Sequence, residues 1–225
     1  MSEWWKYRLS DFLMYTHTIF ERLLEAYNAW LFPAQALAII AGTWLVWVAW
    51  RGSTRQLQIA LGVLSASWLW VAWMFFYQRL ATIDLAAPNY AYGFAIEGVL
   101  LLWAGWRFGK DRHSLALPQR RLGAALIAIA VFVLPLIAPL LGGSWKAIAL
   151  FGLTPDATAL ATLGMIIVLG TARWLSMIPL LWCIASGALL WNLGAAQALV
   201  LPLLGVGALA VLFWERRVDR HSPLS

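Results

Sequence analysis

Charged residues, histidine and cysteine are all scarce in this chain of 225 residues, and each shortage excludes a class of protein. Only 12% of the residues are charged, against roughly 25% in ordinary soluble domains. By contrast, 63% are hydrophobic, and 16 are tryptophan. A soluble core cannot hide that much apolar surface, so we expect a lipid bilayer to surround much of the chain.

The single cysteine and the three histidines argue against disulfide, metal and haem chemistry. Cys183 has no second cysteine with which to form a disulfide framework. His17 is predicted to lie on one side of the membrane, and His113 and His221 on the other. We therefore expect no metal site and no cofactor. The sequence also lacks a nucleophile–base arrangement, a glycine-rich phosphate loop and paired carboxylates, so we expect no enzyme activity.

Long uncharged runs predict an all-α membrane helix bundle with seven transmembrane helices. A span needs roughly 20 mostly apolar residues, and the run at 174–214 is long enough for two spans that meet at 192–194. The run at 85–106 holds a single charge, Glu97. The predicted spans are 31–50, 57–77, 90–107, 122–141, 155–172, 174–191 and 196–214.

The basic residues that flank these runs predict the orientation of the chain. Short cytoplasmic loops concentrate Lys and Arg, which favours an N-terminus outside and a cytoplasmic C-terminus. The residues then placed on the cytoplasmic side are Arg51, Arg55, Arg107, Lys110, Arg112, Arg120, Arg121, Arg173, Arg216, Arg217 and Arg220. We attribute the net charge of +6 to this orientation and to contact with lipid headgroups, and expect no nucleic-acid partner.

The N-terminal segment, 1–30, is predicted to contain an interfacial amphipathic helix. Phe12, Ile19, Leu23 and Trp30 share one face of such a helix, while the acidic residues lie on the solvated faces. One interpretation is a helix that lies on the outer membrane face, and the other is a lid over a cavity. The transmembrane domain then covers 31–220, and 221–225 form a cytoplasmic tail.

A weak internal repeat allows two readings of the transmembrane domain. Two prolines are each followed by glycine nine residues later and arginine eighteen residues later: Pro33, Gly42 and Arg51, and Pro155, Gly164 and Arg173. In one reading, 31–107 and 155–214 are parallel units joined by an inverting helix at 122–141. Small transporters of this kind bind substrate between their repeats. In the other reading, apolar helices resemble one another by chance.

Three stretches resemble an uncharacterised family of bacterial inner-membrane proteins, the domain of unknown function DUF6064. They are FERLLEAYNAWLFPAQ at 20–35, WLWVAWMFFYQRLATIDLAAPNYAYGFAIEGVLLLWAGWRF at 68–108, and the block that runs from FGLTPDATALATLGMIIV to LLWNLGAAQ at 151–197. The resemblance implies one multi-pass membrane domain in the bacterial inner membrane. It implies no activity, substrate or site residue.

Glu97 is the leading candidate for a functional residue, because a charged side chain in a bilayer is costly and usually faces a protein interior. Tyr90 precedes it by two helical turns, and Trp70 and Trp73 are deep aromatic residues that suit the wall of a cavity. One interpretation is a ligand-binding or ion-binding site formed by these four residues. The other is a structural hydrogen bond between a protonated Glu97 and a neighbouring serine or threonine, for which the candidates are Ser65, Ser67, Ser176 and Ser186.

A second group of candidates lies at the predicted outer face. Thr154, Pro155 and Asp156 are typical of a helix start, with a capping hydroxyl, a proline at the first position and an acid near the positive end of the helix dipole. Capping alone explains them. The alternative is that Asp156 lines an outer vestibule together with Tyr27 and Asn28.

Two functions are compatible with these features. The first is a carrier or channel for a small solute or ion, with Glu97 as its polar anchor. The second is a non-catalytic accessory or scaffold subunit that binds lipid, a hydrophobic ligand or another membrane complex. Membrane lipids are expected partners of both, together with a second copy or another membrane protein. A cavity that reaches Glu97 favours the first, and a sealed Glu97 with exposed tryptophans favours the second.

Overall fold

The computed structural model describes residues 15–108, 117–170 and 173–221, with the backbone alone at 108 and 214–221. These residues are all-α, as predicted, and no strand occurs among them. The α-helices are α1 (His17–Leu31), α2 (Ala34–Arg51), α3 (Thr54–Trp70), α4 (Ala87–Phe108), α5 (Leu117–Ala128), α6 (Leu134–Leu140), α7 (Pro155–Leu169), α8 (Met177–Asn192) and α9 (Val200–His221).

Two of these helices are extended by π-helical turns. α3 continues through Val71–Tyr77, and Ile129–Val133 joins α5 to α6. Pro135 follows the second π turn and has no N–H to donate to the preceding turn of helix. A wider turn beside a proline is one way in which a helix absorbs the missing hydrogen bond without ending. The α5–α6 rod therefore stays continuous.

Four helical segments among the described residues are long and apolar enough to cross a membrane. They are Ala34–Arg51, Thr54–Thr82, Leu117–Leu140 and Arg173–Asn192, of 18, 29, 24 and 20 residues. Pro155–Leu169 and Val200–Phe213 are apolar but shorter. Each of the seven predicted spans coincides with helix over most of its length, but helix length and hydropathy support four spans clearly rather than seven.

α7 forms the centre of the bundle, in contact with α3, α5, α8 and α9. Every residue from Ala157 to Leu169 is buried. α5 crosses it closely because glycine faces glycine: a Cβ added to Gly164 would lie 2.7 Å from the carbonyl oxygen of Gly123. α7 ends before the predicted residue 172, because Gly170 adopts φ +63° and caps the helix at Leu169.

α1 packs against the irregular segment that precedes α7, through hydrogen bonds to its backbone. The Tyr27 hydroxyl donates to the Leu153 carbonyl at 3.0 Å. The Asn28 amide donates to the carbonyls of Lys146 and Ile148 at 2.8 and 2.9 Å. These bonds attach α1 to the rest of the protein, so contact with lipid alone does not hold the helix in place.

The outer face of α1 keeps the apolar character that the sequence predicts. Ile19 and Trp30 are 43% and 53% exposed, whereas Leu24, Tyr27 and Leu31 are buried beneath the helix. The helix begins at His17, and Phe12, the first residue of the predicted apolar face, lies outside the described residues. Residues 222–225 of the predicted tail also lie outside them.

The two proposed repeat units begin with helices in opposite surroundings. α2 lies at the edge of the bundle, with Leu37, Ile40 and Trp47 exposed. α7, its proposed counterpart, is buried along nearly its whole length. The parallel repeat therefore stays a prediction.

Candidate functional site

A cavity of about 90 Å³ lies beneath α1 and around the first turn of α7. Its walls come from α1, the π turn after α3, α6, α8 and the segments that precede α7 and α9. Most of the wall is apolar, with Phe20 and Leu24 contributed by α1. The polar side chains in the wall belong to Thr154, Asp156, Trp182, Ser186 and Gln197.

Asp156 is the acidic residue of this cavity. Its Oδ1 accepts a hydrogen bond from Trp182 Nε1 at 2.9 Å and another from Ser186 Oγ at 2.8 Å. Both donors come from α8, four residues apart and therefore on one face of that helix. The carboxyl group is held in a defined position, half-buried at the cavity wall. Its second oxygen, Oδ2, receives no hydrogen bond from a described residue.

The first turn of α7 explains why the acid is placed there. α7 begins at Pro155, as predicted, with Asp156 in its first turn. The predicted cap was wrong in one respect, since the Thr154 side chain makes no capping hydrogen bond and donates instead to the Leu150 carbonyl at 3.0 Å. The positive end of the helix dipole therefore faces Asp156 without a hydroxyl cap.

Glu97 lies apart from this cavity and is sealed within the protein. Its exposed fraction is 0%, and neither carboxyl oxygen has a hydrogen-bond partner among the described residues. Phe94, one turn earlier, is also buried. The cavity beneath α1 is not lined by Glu97.

The serines considered as partners for Glu97 all donate elsewhere. The acceptors are the Gly98, Val63 and Arg173 carbonyls and the Asp156 carboxyl, for Ser65, Ser67, Ser176 and Ser186 respectively. Because neither Glu97 oxygen has a hydrogen-bond partner among the described residues, the structure does not show the hydrogen bond that the structural alternative requires.

An aromatic cluster of Phe76, Tyr90, Phe94 and Trp182 stands between the two acids. Trp182 lies edge-on to Tyr90 and Phe94, with ring centroids 5.6 and 5.2 Å away. On the other side of Phe94, the Trp68 ring lies 4.1 Å away, and its Nε1 donates to Thr162 at 2.8 Å. Trp182 thus contacts Asp156 and also the residue one turn before Glu97.

The remaining predicted site residues lie in other places. Trp70 Nε1 donates to the Tyr27 hydroxyl at 3.2 Å, so the two support α1. Trp73 is 56% exposed and stacks on Tyr77 at 5.0 Å. Asn28 holds backbone carbonyls, as described above. The structure therefore brings Tyr90 near Asp156 through Trp182, but it does not bring Trp70 or Trp73 to that cavity.

Two residues of the site, Trp182 and Ser186, were not predicted from the sequence to meet Asp156. Their spacing of four on α8 was a usable signal, since it places an indole N–H and a hydroxyl on one helical face. Nothing in the sequence names the acid that they meet, because Asp156 is 26 and 30 residues away. Among the described residues, no group of three or more His, Cys, Asp or Glu side chains could hold a metal ion.

A comparison with protein families places the chain in one of them. Residues 17–222 match the model of a family of unknown function, DUF6064, so the chain belongs to that family, as its sequence blocks indicated. No curated protein and no solved structure matches the chain.

Proposed function

We propose that this family member is a multi-pass bacterial inner-membrane protein that binds a small solute in the cavity beneath α1 and carries it across the membrane. The observation that carries the proposal is the position of Asp156, a carboxyl group held by two donors at the wall of a mostly apolar cavity. Binding sites for small molecules combine apolar walls with a few well-placed polar groups in this way.

The proposal includes seven spans, with the N-terminus outside and the C-terminus in the cytoplasm. α4 and α9 have 22 residues each, a length that suffices for a span, although α9 is apolar only over Val200–Phe213 and charged after it. The distribution of Lys and Arg supports the orientation. In this arrangement the cavity lies in the outer half of the membrane, where α7 begins.

The length of α7 accounts for the position of α1 in such a protein. At a rise of about 1.5 Å per residue, 15 residues extend only about 22 Å, less than the roughly 30 Å hydrocarbon core. The irregular backbone before α7 must then reach below the membrane surface. Irregular backbone at that depth needs protein or water around it. α1 supplies the protein cover and also closes the cavity, which favours the lid interpretation of this helix.

In the proposed function the polar anchor of the binding site is Asp156 rather than Glu97. Asp156 lines a cavity large enough for a solute, while Glu97 is sealed. An ion-binding role for Glu97, with Tyr90 near it, stays a prediction that variants at the two acids can test separately.

The accessory or scaffold function has one observation in its favour. Glu97 is sealed, and large tryptophans such as Trp47, Trp103, Trp106 and Trp191 are exposed on the outer surface. Lipid contact also explains those tryptophans. The cavity at Asp156 has no role in this alternative, which is why the carrier ranks first.

The deciding experiment is native mass spectrometry of the protein extracted gently from its own membrane. The wild type is compared with Asp156→Asn and Glu97→Gln. A small molecule retained by the wild type and by Glu97→Gln, but lost from Asp156→Asn, supports the proposal. The identified molecule is then followed in proteoliposomes, where Asp156→Asn should abolish its flux.

Two results would contradict the proposal. A molecule lost only from Glu97→Gln would place the binding site at Glu97. A stoichiometric second protein without any small molecule would favour the accessory subunit.

A further inference from the structure

We propose that the solute is a small organic cation of the alkylammonium class, an inference that rests on the proposed function. Its starting point is the electrostatics of the cavity. Two hydrogen-bond donors and the N-terminus of α7 stabilise a negative charge on Asp156. The apolar wall destabilises the same charge unless a cation accompanies it.

The protein supplies no such cation within the described wall. No lysine, arginine or histidine is among the residues that line the cavity. An ionised Asp156 therefore needs its counter-charge from the occupant. Oδ2, which no described residue bonds, is the oxygen available to receive an N–H donor from a ligand.

The chemistry of the wall favours an organic cation over a metal ion. Calcium takes six to eight oxygen ligands, and magnesium needs a near-octahedral set. The wall offers one carboxyl group and a few neutral polar side chains, and the rest is aliphatic, proline and aromatic carbon. An alkylammonium ion needs only a carboxylate and one or two further acceptors, and its alkyl part gains from apolar contact.

The volume of the cavity limits the size of the cation. A cavity of about 150 Å³ in another protein binds benzene, and this one measures about 90 Å³. The alkyl part must therefore be smaller than a benzene ring, which corresponds to a short-chain primary ammonium ion.

The test measures binding of labelled ethylammonium to the full chain in lipid nanodiscs, with methyl-, propyl- and butylammonium as competitors. We expect Asp156→Asn to weaken ethylammonium binding at least tenfold. Asp84→Asn is the matched control, because it makes the same substitution at an aspartate that does not line the cavity. Ethanol and 1-propanol, which lack the charge, should not compete.

A second variant tests the site without touching its carboxyl group. Ala138 lines the cavity, so Ala138→Leu should exclude the longest accepted chain while leaving methylammonium binding in place. Ala188→Leu, at an exposed position of α8, is its control. This pair keeps the test decisive if Asp156→Asn does not fold.

Several outcomes would overturn the inference, and they separate it from the proposed function. Competition by sodium, potassium or calcium but not by alkylammonium ions would assign the site to a metal ion. Loss of binding in Glu97→Gln alone would move the site. Absence of ethylammonium binding, with another molecule retained in an Asp156-dependent manner, would refute the cation class and preserve the carrier. If no variant changes any retained molecule, both fail.

Discussion

Trp182 donates its indole N–H to Asp156 and, with the same ring, packs edge-on against Phe94, 5.2 Å away on α4. One side chain thus joins the wall of the cavity to the helix that contains Glu97. The two acids are chemically distinct, since Asp156 has two hydrogen-bond donors and Glu97 has none among the described residues.

Trp182→Phe should remove the hydrogen bond to Asp156 while keeping an aromatic ring in the cluster. A hydrogen bond to a charged group contributes about 1.5–3 kcal/mol, so we expect a loss of that order in the free energy of unfolding. Unfolding in mixed micelles measures it, with Trp191→Phe, an exposed position of the same helix, as control. Equal losses in both variants would mean that the hydrogen bond contributes nothing specific.

Glu97→Met should stabilise the protein. A buried carboxyl group without a partner costs roughly 1–3 kcal/mol by mutational estimates, and methionine has a similar shape without the polar oxygens. The comparison variant is Glu97→Gln, which keeps a polar group and should not gain stability. Failure of Glu97→Met to fold would contradict the prediction and would mean that the carboxyl group has a stabilising partner.

Gly164→Ala should destabilise the bundle, because the added Cβ would lie 2.7 Å from both the Gly123 carbonyl oxygen and Ile127 Cγ1. Overpacking of this kind costs about 1–3 kcal/mol. Gly93→Ala is the matched control on α4, where no atom lies within 4 Å of the added Cβ. The control should be neutral or gain up to about 1 kcal/mol. Equal effects of the two substitutions on the free energy of unfolding would contradict the prediction.

Tyr27→Phe should loosen α1 without unfolding the bundle. The variant loses the bond to Leu153 and leaves Trp70 Nε1 without its acceptor. Hydrogen exchange of the α1 amides should become faster, while the amides of α7 stay protected. Trp30→Phe, on the exposed face of the same helix, serves as the reference. Unchanged exchange in α1 would show that other contacts suffice to hold it.

Alkaline pH should act on the same tyrosine. Burial raises the pKa of Tyr27 to about 12, against the opposing effect of the hydrogen bond from Trp70. The unfolded chain ionises at about pH 10, so this contribution to stability is complete below pH 10 and is lost as the pH rises toward 12. Titration of tyrosinate absorbance, wild type against Tyr27→Phe, should show one late-ionising group missing from the variant. If the group missing from Tyr27→Phe instead ionised near pH 10, the buried position of Tyr27 would be refuted.

Much of the fold was predictable because long runs of apolar, uncharged residues favour long helices. The positions of the helices follow from the spacing of charged residues, and the start of α7 follows from Pro155 and Asp156. The interior position of α7 was not predictable, because an all-apolar helix has the same sequence pattern whether lipid or protein surrounds it. Tertiary contacts such as that between Gly123 and Gly164 distinguish the two, and they join residues far apart in sequence.

The site was predictable in its residue types and not in its assembly. An acid in an apolar run was predicted to face the protein interior, and Glu97 is indeed buried. Asp156 looked like an ordinary helix-start residue, since its position on α7 explains an acid without any cavity. The difference arises from Trp182, Ser186 and α1, whose approach to Asp156 depends on tertiary packing that no local pattern encodes.

The bonds that fasten α1 have a consequence for how the protein is made. Tyr27 and Asn28 bind backbone carbonyls at Leu153, Lys146 and Ile148, more than a hundred residues later in the chain. During synthesis, α1 therefore leaves the ribosome long before its partners exist. In the proposed membrane arrangement it remains at the membrane surface until then, with its apolar outer face in the lipid. The cavity is completed only when α8 and the start of α9, which form part of its wall, have also been made. The newly synthesised protein therefore passes through a stage in which the early helices are present and the site is still open.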